Sequence, residues 1–184
     1  MTMRFASASL AGVIVVEGDV SEDVRGSFAR TYCQREFAQA GLNTVWPQHN
    51  ISHNAKRGTL RGMHYQIPPH GEIKLIRCIS GAIFDVLVDV REDSPTFGKW
   101  EGFELSAENH RALYVPNGIA HGFQTLTDHA AVLYLMSEFY VPASARGIAW
   151  NDPELDIRWP IPDPILSDAD RMHPTLAARL ERGA

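Results

Sequence analysis

From Thr59 onward the chain runs in short bursts of alternating apolar and polar positions: TLRGMHYQ, IKLIRCIS, AIFDVLVDV, WEGFELS, RALYVP, AHGFQTL and AAVLYLMSEFY. Turn formers separate them at Ser80-Gly81, Ser94-Pro95, Ser106 to Asn109 and Pro116 to Gly118. Many short period-two segments at regular spacing predict an antiparallel β sandwich or barrel. Upstream, the apolar run from Leu10 to Val16 predicts an opening strand around Val13 to Val16, and Ser21 to Gly26 reads as a turn. Phe28 to Tyr32 predicts a further strand, and a helix follows over Gln34 to Ala40, stopped by Gly41. Val45 to Ser52 carries Pro47 and so predicts an edge strand. After Tyr140, prolines at 142, 153, 160, 162, 164 and 174 predict an irregular arm wrapped over the barrel, ending in a short helix over Thr175 to Arg182. The expected division is one domain, with N-terminal strands in 1–56, the barrel in 57–140 and the arm in 141–184.

Composition narrows the function. The 184 residues are 45% hydrophobic and 21% charged, enough for one sizeable core. A formal net charge of −5 disfavours nucleic acid and anionic membrane surfaces as partners, because both are polyanions. Two distant cysteines, Cys33 and Cys78, form no metal motif and no disulfide framework, which predicts a cytoplasmic protein. The Leu10 to Val16 run is too short to cross a membrane.

The candidate chemistry is densest in GTLRGMHYQIPPHGEIKLIR, Gly58 to Arg77, where Arg61, His64, Lys74 and Arg77 flank a Pro-Pro-His-Gly loop. Strand alternation puts His64 on a face with Gly62 and Gln66, and Lys74 on a face with Ile76 and Cys78. An inward lysine is costly unless it meets an anion. Lys74 therefore either faces a cavity for an anionic ligand, snorkels to a rim, or pairs with a carboxylate such as Asp85 or Asp89. PNGIAHGF, Pro116 to Phe123, aims His121 inward or forms a plain hairpin. His64, His70, His121 and Glu72 lack the H-x-H pair of a histidine-rich barrel metal site, so no metal is expected. Tyr134 shares a face with Val132 and Met136, and an inward tyrosine serves packing or chemistry equally. Ser167-x-x-Asp170 reads as a capping box.

In order and spacing, the stretches DVRGSF, PQHNIS, LRGMHYQ, KLIRCISGAIFDVLVDVREDSPTFGKW, LSAENHRALYVPNGIAHGF, LYLMSEFY, GIAWNDPELDIRWP and LSDADRMHP resemble the dTDP-4-dehydrorhamnose 3,5-epimerase family across nearly the whole chain. The resemblance implies a cupin-type jelly roll, a homodimer exchanging N-terminal segments, and an isomerase with no metal or organic cofactor. It implies His64 as general base, Asp170 as the carboxylate that orients it, Lys74 as the cation near the keto oxygen and Tyr134 as the acid on the opposite face. Arg61 and His121 match further pocket residues; Arg25, Phe28, Gln48, Asn50 and Tyr140 match positions that hold the nucleoside diphosphate. Arg30 and Ala145 depart from the pattern where acidic residues are common.

The implied substrate is a dTDP-linked, or otherwise nucleotide-linked, 4-keto-6-deoxyhexose. Its C3 and C5 flank the carbonyl, so a neutral histidine can remove either proton if the enolate is stabilised. Two other classes stand beside this one: a metal-dependent cupin oxygenase or isomerase, and a sugar-nucleotide-binding cupin without catalysis.

Overall fold

The computed structural model describes residues 1–181. Two antiparallel sheets face each other. The first holds six strands, in the order β1 (Met3–Ser7), β2 (Ile14–Gly18), β10 (Ala112–Val115), β7 (Lys74–Ser80), β12 (Ala130–Met136) and β5 (Gln48–Asn54). The second holds five, in the order β13 (Ala145–Gly147), β6 (Leu60–Gln66), β11 (Ile119–Thr125), β8 (Ala82–Asp89) and β9 (Trp100–Ser106). Non-sequential neighbours in both sheets give the crossed topology of a jelly roll, and the sheets are not joined into one closed hydrogen-bonded barrel.

Period-two patterning sorts the side chains into three apolar layers. Between the sheets lie Ile76, Cys78, Ile83, Leu87, Leu113, Phe123 and Val132. The outer face of the six-stranded sheet is covered by α1 (Gln34–Gln39), whose Phe37 is fully buried against Phe5, Tyr32 and Tyr114. The outer face of the five-stranded sheet, carrying Val86, Val88 and Ala120, packs against Ile148, Leu155 and Leu176 of the C-terminal arm. The central strands β11 and β8 are therefore buried on both sides over most of their length, and Asp85, between Ile83 and Leu87, points into the interior at 0% exposure.

Several sequence expectations are corrected. β1 precedes the expected opening strand. The segment read as a turn forms most of a hairpin, β3 (Val20–Asp23) with β4 (Gly26–Ala29), whose strands are almost wholly exposed and so carry no apolar alternation to read. Its turn is fixed by the Asp23 carboxylate, which accepts from the Arg25 backbone N–H at 2.8 Å. β4 ends at Ala29, short of Tyr32. β5 lies at the sheet edge as expected but begins after Pro47 rather than at Val45. The arm carries two unexpected elements, β13, which pairs with β6, and α2 (Asp168–Arg171), while the expected terminal helix is present as α3 (Leu176–Glu181). Arg182, the expected last helical residue, lies outside the described residues.

The arm is pinned by side-chain to backbone bonds that substitute for regular structure. Buried Asp152 accepts from the N–H groups of Glu154 and Leu176, and Gln124 bonds both the N–H and C=O of Ile161. Ile165 then exchanges backbone bonds with Gly58 and Leu60 at 2.9 Å, which delivers Ser167 to Asp170 to the start of β6.

Candidate active site

A cavity of about 840 Å³ opens at one end of the jelly roll, lined from β5, β6, β7, β11, β12 and the arm. Its position depends on a bulge. Across the β6–β11 ladder, His64 opposes His121 and Arg61 opposes Phe123, so Gly62 and Met63 on β6 stand against Gly122 alone on β11. That extra residue brings Arg61 and His64, an odd number apart, onto the same cavity, whereas unbroken alternation separates them. Glycines permit it. A Cβ on Gly62 (φ +132°) would lie 2.5 Å from the Gly122 Cα, so only glycine fits the crossing.

His64, at the mouth, has its side chain 49% exposed and its Nε2 2.7 Å from Oδ1 of the buried Asp170. The capping box and the dyad coexist. Asp170 Oδ2 accepts from the Ser167 hydroxyl at 2.9 Å, that hydroxyl accepts from the Asp170 N–H, and Oδ1 remains for His64. Two carboxylate oxygens thus serve two roles. Burial raises the Asp170 carboxyl, but the imidazoles of His173 and His64 and the Ser167 hydroxyl outweigh it and hold the group far below the usual carboxylate range. With Nε2 donating to Asp170, the His64 lone pair sits on Nδ1, the arrangement of a general base.

Deeper in, Lys74 is 5% exposed. Its carboxylate partner is neither Asp85 nor Asp89 but Glu72, at 2.9 Å, with both side chains buried. Asp85 is taken by His121 at 2.7 Å, and Asp89 by Arg91, Ser94 and Thr96. Lys74 Nζ also donates to the backbone oxygen of His64 at 3.2 Å. Half-buried Tyr134 packs edge-on to the His121 ring, at 5.8 Å between centroids. Burial first, and the Asp85 charge second, push its phenol well above the ordinary value, so it stays a proton carrier across the neutral range.

Gln48, Asn50 and Tyr140 line the same cavity, as does Arg61, held by Asn54 at 2.8 Å. Arg25 and Phe28 do not. They sit on the β3–β4 hairpin, Arg25 bound to Asp23 and Phe28 68% exposed, apart from their own chain's cavity. Sequence reasoning missed Glu72 as the partner of Lys74, Asp85 as the partner of His121, and His173, which lines the cavity beside Asp170. The signal for Asp85 is an acid among apolar residues in AIFDVLVDV; that for His173 is its place three residues after Asp170.

This architecture matches known proteins. A family model described as dTDP-4-dehydrorhamnose 3,5-epimerase matches residues 7–178. The chain is 47% identical over 171 residues to the dTDP-4-dehydrorhamnose 3,5-epimerase of Pseudomonas aeruginosa, covering 92% of this chain and 93% of that one. It is 40% identical over 182 residues to the dTDP-4-dehydrorhamnose 3-epimerase of Streptomyces niveus, covering 98% and 87%. Among solved structures, the dTDP-4-dehydrorhamnose 3,5-epimerase of Bacillus anthracis, with TDP and PPi bound, superposes with a TM-score of 0.92 at 43% identity, covering 95% of this chain and 99% of that one. Fold, site and sequence agree, and the chain belongs to the dTDP-4-dehydrorhamnose 3,5-epimerase family.

Proposed function

We propose that this protein is an isomerase that epimerises a dTDP-linked 4-keto-6-deoxyhexose at C3 and C5, working without a metal or organic cofactor. The observation that carries the reading is the His64–Asp170 pair at 2.7 Å, at the mouth of a cavity that also holds Lys74 and Tyr134. His64 Nδ1 removes the proton from the carbon beside the ketone. The electron pair moves onto O4 as an enolate, which the Lys74 ammonium stabilises in a water-poor interior. Asp170 balances the imidazolium so formed. Tyr134 returns a proton to the other face; solvent then takes the proton from His64 and replaces the one lost by Tyr134.

Arg61, Gln48, Asn50 and Tyr140 hold the nucleotide end, with the Arg61 guanidinium suited to a phosphate. Arg25 and Phe28 serve the cavity of a second subunit in a homodimer. The exposed hairpin that carries them, and the open β5 edge with Ile51 51% exposed, support that assignment. Two free cysteines suit a cytoplasmic protein, and no helix among the described residues is long and apolar enough to cross a membrane.

The test is incubation with dTDP-4-keto-6-deoxy-D-glucose in deuterated water, followed by NMR. Deuterium at C3 and C5 is expected. Label at C3 alone would make the protein a 3-epimerase like the S. niveus relative. Binding without any label would point to a protein that holds the sugar nucleotide and does not turn it over.

A further inference from the structure

One group in the cavity has no part in the reaction above. The Nε2 of His173 is buried with no hydrogen-bond partner among the described residues, 3.7 Å from the same Asp170 Oδ1 that His64 contacts at 2.7 Å. The His64 and His173 rings meet edge to face at 5.4 Å. His173 has a built seat: its ring fills the place a side chain on Gly147 would take, an added Cβ lying 2.3 Å from His173 Cε1. A buried ring nitrogen left unpaired is unfavourable unless something occupies the space before it. His173 lines the cavity, and its Nε2 stands among two further donor atoms, those of Asp170 and His64.

We propose that His64, Asp170 and His173 form a binding site for a divalent transition-metal ion of the zinc class. The three donor atoms lie within 4.8 Å of one another, and they are the one such cluster of three found among the described residues. Two imidazoles and one carboxylate suit Zn²⁺, Co²⁺ or Fe²⁺ and are poor for Mg²⁺ or Ca²⁺, which prefer oxygen. Ligands ~2.1 Å from a tetrahedral zinc stand ~3.4 Å apart. The 3.7 Å separation is already close to that, and the 2.7 Å pair must open modestly as its bridging proton leaves. All three residues line the cavity, so a remaining coordination position would face it.

Occupancy has a consequence that rests on the proposed role of His64. Zinc on Nε2 takes the place of the proton shared with Asp170 and leaves the imidazole proton on Nδ1, so the nitrogen that accepts the sugar's proton has no lone pair to offer. The ion therefore acts as an inhibitor.

Calorimetric titration of the full chain with Zn²⁺, paired with visible absorption of the Co²⁺ form, tests the site without reference to activity. The expected result is one ion per chain in the cavity, with a tetrahedral or five-coordinate Co²⁺ spectrum, and affinity at least ~10-fold weaker in His173→Phe. Should that variant fold poorly by circular dichroism, His173→Gln supplies the comparison. No saturable binding, or binding unchanged in the folded variant, overturns the site and leaves a water molecule as the partner of His173. Loss of deuterium exchange in step with zinc occupancy is the expected second readout. Exchange that continues on the zinc-loaded protein would leave the site standing and remove His64 from the role of base.

Discussion

His64 and His121 are direct partners across the β6–β11 ladder, and each holds a carboxylate at 2.7 Å: Asp170 for the first, Asp85 for the second. The two pairs differ in surroundings. The side chain of His64 is 49% exposed and that of His121 6%. Asp170 receives a hydroxyl as well as an imidazole, whereas Asp85 keeps one oxygen, Oδ1, buried without a partner among the described residues. One carboxyl is accordingly held far down and the other pushed up by desolvation. The same two side chains therefore make an ionised carboxylate beside a half-exposed imidazole at the mouth and a desolvated, incompletely bonded pair in the core.

Asp170→Asn should lower kcat by roughly 10²- to 10⁴-fold, since an amide can neither fix the His64 tautomer in the same way nor balance its charge. It should also alter acid stability. The folded-state value of Asp170 lies below the unfolded value of ~3.9, so its stabilising contribution is complete above that pH and is lost as the pH falls toward the folded value. Urea unfolding from pH 7 down to pH 3 should show a shallower loss of stability in the variant than in the parent protein.

Asp85 has the opposite sign. Burial raises its folded-state value above the unfolded one, so the charged carboxylate weakens the fold as the pH rises through and above the unfolded value. Asp85→Asn, which keeps a group able to bond His121, should hold its stability at pH 7 better, relative to pH 4, than the parent does. Activity should fall, because His121 loses its charged anchor. The stability ratio comes from urea midpoints at the two pH values, and an equal shift at both would remove Asp85 as the titrating group.

Lys74 and Glu72 form a buried pair in which both side chains are less than a tenth exposed. Removing only one charge strands the other, so Glu72→Leu should destabilise the fold by about 3 kcal/mol and reduce kcat by displacing the ammonium. The double variant Glu72→Leu/Lys74→Met should recover most of the stability and none of the activity. A double-mutant cycle in urea measures the coupling.

Tyr134 should separate the two halves of the reaction. Tyr134→Phe removes a proton donor and leaves His64, Asp170 and Lys74 in place, so deuterium should still enter from solvent while epimer formation falls by about 100-fold. NMR reports both on one sample, and an equal loss of the two would assign the donor elsewhere.

Much of the fold was legible because the jelly-roll strands are short apolar runs such as AIFDVLVDV and IKLIRCIS, cut at regular spacing by turn formers, although these two are buried on both faces and alternate little. What escaped was whatever alternation does not encode. The β3–β4 hairpin is exposed on both faces, so nothing apolar marks it. The bulge that joins Arg61 to His64 on one cavity is written only as a Gly in each strand, Gly62 and Gly122. The arm is held by Asp152 and Gln124 reaching backbone groups far along the chain, and only that path brings Asp170 to His64. The resemblance to a family implied a base, an acid and a cation; it did not reveal that Glu72 holds Lys74, or that Asp170 divides its two oxygens between the Ser167 cap and His64.

The position of Arg25 makes the assembly testable by complementation. It lies on an exposed hairpin, apart from the cavity of its own chain, and a symmetric dimer that exchanges this segment would set Arg25 of each subunit beside His64 of the other. Arg25→Ala and His64→Ala each remove every complete site from their own homodimers. In a hybrid dimer the two lesions fall in one site and leave the other whole. Unfolding and refolding the two variants together at equal amounts should yield half hybrids, each with one good site of two, and so recover about a quarter of the parent activity. Were both residues to act within one chain, every site in the mixture would carry one lesion and the activity would remain at the level of the separate variants. Light scattering on the same samples gives the subunit number, so a monomer that fails to complement is distinguished from a dimer that does not exchange its hairpin.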